Sequence, residues 1–566
     1  MNVTGNGQTL IHRFVDIVRG VVLGARETMS VVGVLLGTLF FAASLTPTLL
    51  PRTAFMQGAL SGVSFAAGYG IGVFCAWLWS YLGIRTLEGR PARYVLRAAA
   101  LVCLAVVAVF LWRAAGWQNS IRLLMELEPL DTAQPLRIGM IAFATAAVTI
   151  LLGKLFRLAL LAVAGRLKPV VPRRVANVAG AVAALVLFWA ATEGLVLRYG
   201  LRAVDASFRE LDRTFESGVE KPPEAWRTGS AASLVRWSDL GRAGRGFVDT
   251  APSRADIAAL AGGAAIDPLR VYVGLNSAAT IEERAALALA ELRRVGAFER
   301  SALVVVTPTG TGWIDPAAMD TLEILHRGDV ASVALQYSYL TSWLSLLVEP
   351  GYGKEAARAL FRKVYDYWRQ MPRDARPALY LYGLSLGALN SDLSFDMFDI
   401  VGDPFQGILW SGPPFQSRTW RAATAEREPG SPAWLPRFRD GSVIRFTSQK
   451  DALDIPGAAW GPIRIVYLQY ASDPVTFFDF SALFRRPPWM VGPRGPDVSP
   501  MLQWYPVVTL LQLALDMAAA TTAPIGYGHL YAPEHHVDPW VAVTRPPGWD
   551  APALERLKRE LAERRD

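Results

Sequence analysis

At 566 residues, 52% of them hydrophobic, with a mean hydropathy of +0.25, the chain is too apolar for an ordinary soluble protein and long enough for roughly two to four domains. Its net charge of +8 is spread through connecting segments and is not gathered with aromatics on one stretch, which argues for membrane topology and excludes a nucleic-acid partner. The two cysteines, Cys75 and Cys103, both lie in apolar runs, so neither a disulfide framework nor a cysteine metal site is expected, and the chain carries no cofactor motif.

Residues 1–28 read as an interfacial segment: apolar positions between 9 and 26 are interleaved with His12, Arg13, Asp16, Arg19 and Arg26. Residues 29–199 read as a helical membrane domain with five apolar spans, near 30–50, 56–84, 95–112, 138–164 and 175–197. Gly33 and Gly37, Gly58 and Gly62, and Gly68 and Gly72 have the small-xxx-small spacing that lets helices approach closely in lipid. Basic residues concentrate before the first span, after the second (Arg85, Arg90, Arg93, Arg97) and after the fourth (Lys154 to Arg174). The positive-inside rule then puts the N-terminus in the cytoplasm, and five crossings place everything after about 198 outside it, on a multi-pass protein of the plasma membrane.

Residues 200–265 are more polar and read as a connecting region, with Arg242 and Arg245 on a solvated loop. From 266 to 566, short β-branched or aromatic runs alternate with amphipathic helical stretches. The strands predicted are 270–275, 302–307, 330–336, 378–382, 407–410, 443–446 and 463–470, with helices at 281–294 and 353–369 between them. This alternation predicts a mainly parallel sheet covered on both faces, whose active site gathers at the carboxyl ends of the strands.

The run 378–382 breaks into Gly383-Leu384-Ser385-Leu386-Gly387 and continues into helix-forming residues. Strand, sharp turn and helix are the context that Gly-x-Ser-x-Gly needs to hold a serine nucleophile at a strained backbone angle, and Ser385 is the candidate. In that arrangement the triad runs serine, acid, histidine along the chain. Of the five histidines, His529, His535 and His536 follow Ser385, and His529 is preferred because Gly526 and Gly528 let its loop fold over the site. Asp473, at the end of the last predicted strand and followed by Pro474, is the preferred acid; Asp451 is the alternative. The oxyanion donors expected are the N–H of Leu386 and one from the glycine-rich loop after the second strand, at Gly310 or Thr311. That loop lacks the Lys-Ser/Thr ending of a phosphate-binding loop.

The segments Thr309-Gly-Thr-Gly-Trp-Ile-Asp-Pro316, 336–344, the Ser385 turn, 467–475 and Gly528-His529 together resemble a bacterial α/β-hydrolase family with a multi-spanning N-terminal domain. The resemblance covers nearly the whole chain and implies an α/β-hydrolase fold with a serine triad; Leu384 departs from the acidic residue often found before the serine in that family. The expectation is a membrane-anchored esterase- or lipase-like hydrolase, or an acyltransferase, acting on lipid or envelope acyl esters, with membrane lipids as its surroundings. The apolar stretches 477–484 and 489–506 are expected to line an acyl pocket or to be core. The alternative is a catalytically silent hydrolase fold serving as a membrane scaffold. Transport through the spans is disfavoured by their few internal charges.

Overall fold

The computed structural model describes residues 30–84, 89–167, 182, 212, 214, 218–340 and 351–564. The chain divides into two compact units: residues 1–186 with 480–486 and 499–515, and residues 187–479 with 487–498 and 516–566.

Among the described residues, three helices of the first unit are long and apolar enough to cross a membrane: Ala54–Tyr81, Gly89–Met125 and Pro135–Ala162. They correspond to the second, third and fourth predicted spans. The first prediction, 30–50, is corrected: the helix there is Val31–Ser44, only 14 residues, or about 21 Å at 1.5 Å per residue against a hydrocarbon core of about 30 Å. Pro47 and Pro51 explain the early end, since neither can donate to a helical ladder and each disfavours helix in the residue before it. The freed carbonyls of Ser44 and Thr46 accept instead from Gln512 Nε2, at 3.3 and 3.2 Å, a side chain almost 470 positions along the chain. The predicted span 175–197, apart from Val182, and the N-terminal amphipathic segment lie outside the described residues.

The glycine spacings are where helices meet. A Cβ on Gly72 would lie 2.5 Å from Gly33 Cα and 2.6 Å from Val32 O, and one on Gly62 would lie 2.6 Å from Ala142 O, whereas one on Gly70 would meet nothing within 4 Å. Overpacking a tight contact typically costs about 1–3 kcal/mol. Gly72→Val is therefore expected to lower the thermal midpoint of the detergent-solubilised protein clearly, and Gly70→Val to leave it within error.

The second unit is built on a seven-stranded, wholly parallel sheet: β1 (Leu269–Val273), β2 (Ala302–Thr307), β3 (Val330–Leu335), β4 (Ala378–Leu384), β5 (Gly407–Ser411), β6 (Ile444–Thr447) and β7 (Arg464–Leu468), in the order β1-β3-β2-β4-β5-β7-β6. Almost every strand residue is buried, as a parallel sheet covered on both faces requires. The helix Ile281–Arg294 starts at a capping box in which Thr280 and Glu283 satisfy each other's backbone N–H, so its sequence signal and its observed start coincide.

The register brings the functional ends together. Thr307 pairs with Gly383 and Leu384 with Ser411, so the loops after β2, β4, β5 and β7 leave the sheet side by side. Within the connecting region 200–265 lie the helices Gly241–Asp249 and Arg254–Ala261, and Arg242 and Arg245 belong to the first of them, which corrects their placement on a solvated loop. Gly244 lies against the Tyr272 ring, where a Cβ would come within 2.3 Å, and Arg270 Nη1 donates to Phe247 O at 2.8 Å. Arg245 is fully buried, and its Nη2 donates to the carbonyls of Asp212 and Thr214.

Candidate active site

Ser385 follows β4 directly, with φ 56° and ψ −127°, a left-handed conformation that non-glycine residues rarely adopt. Two things impose it. Its N–H donates to Ser411 O at 3.0 Å, and its flanking glycines permit contacts no side chain could survive. A Cβ on Gly383 would lie 2.5 Å from the backbone of Gly387, and one on Gly387 would lie 2.2 Å from Thr307 O. The helix Leu386–Asp392 follows directly, so the Leu386 N–H is one of the donors that a helix start leaves without an intrahelical acceptor.

Asp473 caps the short helix Pro474–Phe477 and is fully buried. Its Oδ1 accepts from the Val475 N–H at 2.8 Å, and its Oδ2 accepts from Thr476 Oγ1 at 3.2 Å, from the Tyr531 hydroxyl at 2.7 Å and from His529 Nδ1 at 2.7 Å. A carboxylate oxygen only accepts, so the His529 proton sits on Nδ1 and Nε2 is left as a lone-pair base. Nε2 is buried and, among the described residues, has no hydrogen-bond partner, Ser385 Oγ included. Catalytic hydrogen bonds are often long before substrate binds. Ser385 and His529 both line a cavity of about 770 Å³ walled largely by apolar side chains, among them Leu384, Phe415, Val475, Met517, Ile525 and Leu530.

In the loop after β2, the Thr309 N–H donates to Trp313 O and the Gly312 N–H to Thr309 O, both at 2.9 Å, while Pro308 has none. Thr311 lines the cavity with Thr309, and Gly310 does not. The Tyr272 hydroxyl holds the loop from behind, donating to Gly312 O at 2.8 Å.

The alternatives sit elsewhere. Asp451 is exposed and caps its own turn through the Leu453 N–H at 2.9 Å. His535 and His536 belong to the helix Pro533–Thr544 and do not line the cavity. His535 Nδ1 pairs with the Tyr470 hydroxyl at 2.6 Å. His536 is fully buried between Ala532 O and Ser411 Oγ, and burial pushes its pKa down to about 3. None of residues 477–484 and 489–506 lines this cavity, and Phe477, Phe478, Trp489 and Met490 are buried, which favours the core reading of these stretches over the acyl-pocket one.

Two residues at the site carry no motif. Tyr531, two positions after His529, shares the Asp473 oxygen with it. Asp315 lines the cavity and caps the helix Pro316–Leu325 through the Ala317 N–H at 3.0 Å, while among the described residues its buried Oδ2 has no hydrogen-bond partner, His536 Nε2 lying 3.9 Å from it. Burial pushes its carboxyl up to about 7, against the pull of that N–H. A carboxyl raised on folding lends stability below its unfolded pKa, and that contribution is lost as pH rises through the folded value. Asn caps a helix as well as Asp does. Asp315→Asn should therefore raise the thermal midpoint at pH 8, by an amount corresponding to at most roughly 4 kcal/mol, and the gain should shrink toward zero as pH falls to 4.

A family model described as "Alpha/beta-hydrolase family" matches residues 269–557, and one described as "Alpha/beta-hydrolase family N-terminus" matches residues 45–252. No curated protein and no solved structure is significantly similar to the chain.

Proposed function

The chain belongs to the alpha/beta-hydrolase family, and from that premise we propose that it is a membrane-anchored serine hydrolase or acyltransferase acting on acyl esters of lipids or other envelope compounds. The observation that carries this reading is the buried His529–Asp473 pair, whose free Nε2 shares one apolar cavity with the strained Ser385.

In this mechanism His529 Nε2 takes the proton of Ser385 as Oγ bonds to the acyl carbonyl carbon. Asp473 holds the imidazole in the required tautomer and stabilises the imidazolium. The oxyanion is met by the Leu386 N–H and by Thr311, the expected position of the loop that lines the cavity. His529 then returns the proton to the leaving alcohol oxygen as its bond to the acyl carbon breaks. Water, or an acceptor alcohol, attacks the acyl-enzyme while His529 takes its proton, and Ser385 Oγ is reprotonated as the acyl group departs.

A cavity of about 770 Å³ with apolar walls suits an acyl chain better than a charged substrate. The three long apolar helices supply the membrane anchor. By the positive-inside rule the basic residues Arg85, Arg90 and Arg93 put the connection between the first two long helices in the cytoplasm, so the hydrolase unit lies outside the cytoplasm when the apolar run 175–197 crosses as a further span. The reading is tested with p-nitrophenyl esters of graded chain length and the detergent-solubilised protein. Release of p-nitrophenol should increase from acetyl to medium chains and vanish in Ser385→Ala. Folded protein that turns over none of them would favour the scaffold alternative.

A further inference from the structure

Residues 487–498 belong to the hydrolase unit, between two stretches of chain, 480–486 and 499–515, that pack with the N-terminal helices. Within this returning segment Gly495 lies so close to Ala471 that a Cβ would come within 2.0 Å of the alanine methyl, and this close approach lays Asp497 beneath the end of β7. Asp497 is 1% exposed and none of the chemistry above uses it. Its Oδ2 accepts three hydrogen bonds: from Ser472 Oγ at 2.6 Å, from the Ser472 N–H at 3.2 Å and from Gln449 Nε2 at 2.8 Å.

Both donor side chains reach onward to one loop. Ser472 Oγ accepts from the Gly528 N–H at 2.9 Å, and Gln449 Nε2 also reaches Gly526 O at 3.4 Å. Gly526 and Gly528 have φ of 95° and 58°, so the loop's path depends on glycine and on these external ties. Ser472 immediately precedes Asp473, and Gly528 immediately precedes His529. One buried oxygen thus ties down the residue before the acid and the residue before the base. Burial raises the Asp497 carboxyl, and the bonds from Ser472 and Gln449 oppose that rise, as a buried carboxylate needs if it is to stay ionised.

We propose that Asp497 is a positioning residue for the reaction: through Ser472 and Gln449 it sets the distance and angle between Asp473 and His529, and so the aim of His529 Nε2 at Ser385. This rests on the Ser385–His529–Asp473 reading above. A misplacement of about 1 Å far from the chemistry can cost on the order of 100-fold in rate, so the position has a measurable consequence.

The test uses the full-length, detergent-solubilised protein with p-nitrophenyl butyrate and a fluorophosphonate, comparing Asp497→Asn, Ser472→Ala, the double variant and Ser385→Ala. Positioning predicts that each single variant loses about 10- to 100-fold in kcat with KM unchanged, that fluorophosphonate modification slows in parallel, and that the double variant is no worse than the poorer single one, because both act through one chain of bonds. Should Asp497→Asn not fold, Ser472→Ala alone decides, since it removes only the hydroxyl between Asp497 and Gly528. Folded variants with kcat within twofold of wild type, losses that appear in KM, or losses that multiply would overturn the proposal. If Ser385→Ala keeps its activity, the underlying serine mechanism fails; if Ser385→Ala is inert while these variants match wild type, only the positioning role fails.

Discussion

Asp473→Asn is expected to lower kcat about 10⁴-fold while leaving KM within a few-fold, a loss of about 5 kcal/mol of transition-state stabilisation. The asparagine fits the same volume, and its carbonyl oxygen can still accept from the Val475 N–H or the Tyr531 hydroxyl, but its amide nitrogen donates. Whichever way the amide turns, one of the donors now converging on Asp473, from His529 Nδ1, Tyr531, Thr476 and Val475, loses its acceptor. If the amide faces His529, the imidazole is driven to the other tautomer and Nε2 carries the proton it should receive. Steady-state kinetics on p-nitrophenyl butyrate, with circular dichroism to establish folding, checks this. A folded variant within tenfold of wild type would remove Asp473 from the mechanism.

The larger loss belongs to Ser385, where replacement by Ala should reduce turnover by a factor on the order of 10⁶, and His529→Ala by nearly as much. Because the nucleophile and base act as a unit, the double variant should be no slower than Ser385→Ala alone. Ser385 also stores strain, with φ at 56° and ψ at −127°. Ser385→Gly should therefore be as inactive as Ser385→Ala and yet more stable than wild type, by about 1–3 kcal/mol, since glycine adopts that angle freely. Thermal midpoints of the three proteins separate strain from chemistry: a Gly variant less stable than wild type would mean that the turn is not strained.

The elements best anticipated from sequence are those whose signals are local. The β-branched runs 302–307 and 330–336 form strands at nearly those bounds because both faces of a parallel sheet are buried and the run must be continuously apolar. The Ser385 turn was readable because Gly383 and Gly387 answer to contacts within a few residues and with the neighbouring strand. The first membrane helix was misjudged because hydropathy carries on through Leu45, Leu49 and Leu50, whereas the helix stops for the prolines among them. The helix Gly241–Asp249 reads as a loop because it holds three glycines and two arginines; Gly244 serves packing against Tyr272, and Arg245 is buried against backbone carbonyls. Asp497 and Tyr531 had no local pattern at all, as their partners lie 25 and 58 positions away. The same holds for Gln512, whose acceptors are nearly the whole chain distant.

Whether Ser385 is an activated nucleophile is decided by reacting the intact, detergent-solubilised protein with a fluorophosphonate and locating the adduct by peptide mass spectrometry. A single stoichiometric phosphonyl adduct on Ser385 is expected, lost in Ser385→Ala and slowed by several orders of magnitude in His529→Ala. Folded wild-type protein that takes up no label, or carries it on another residue while Ser385 stays free, would contradict it.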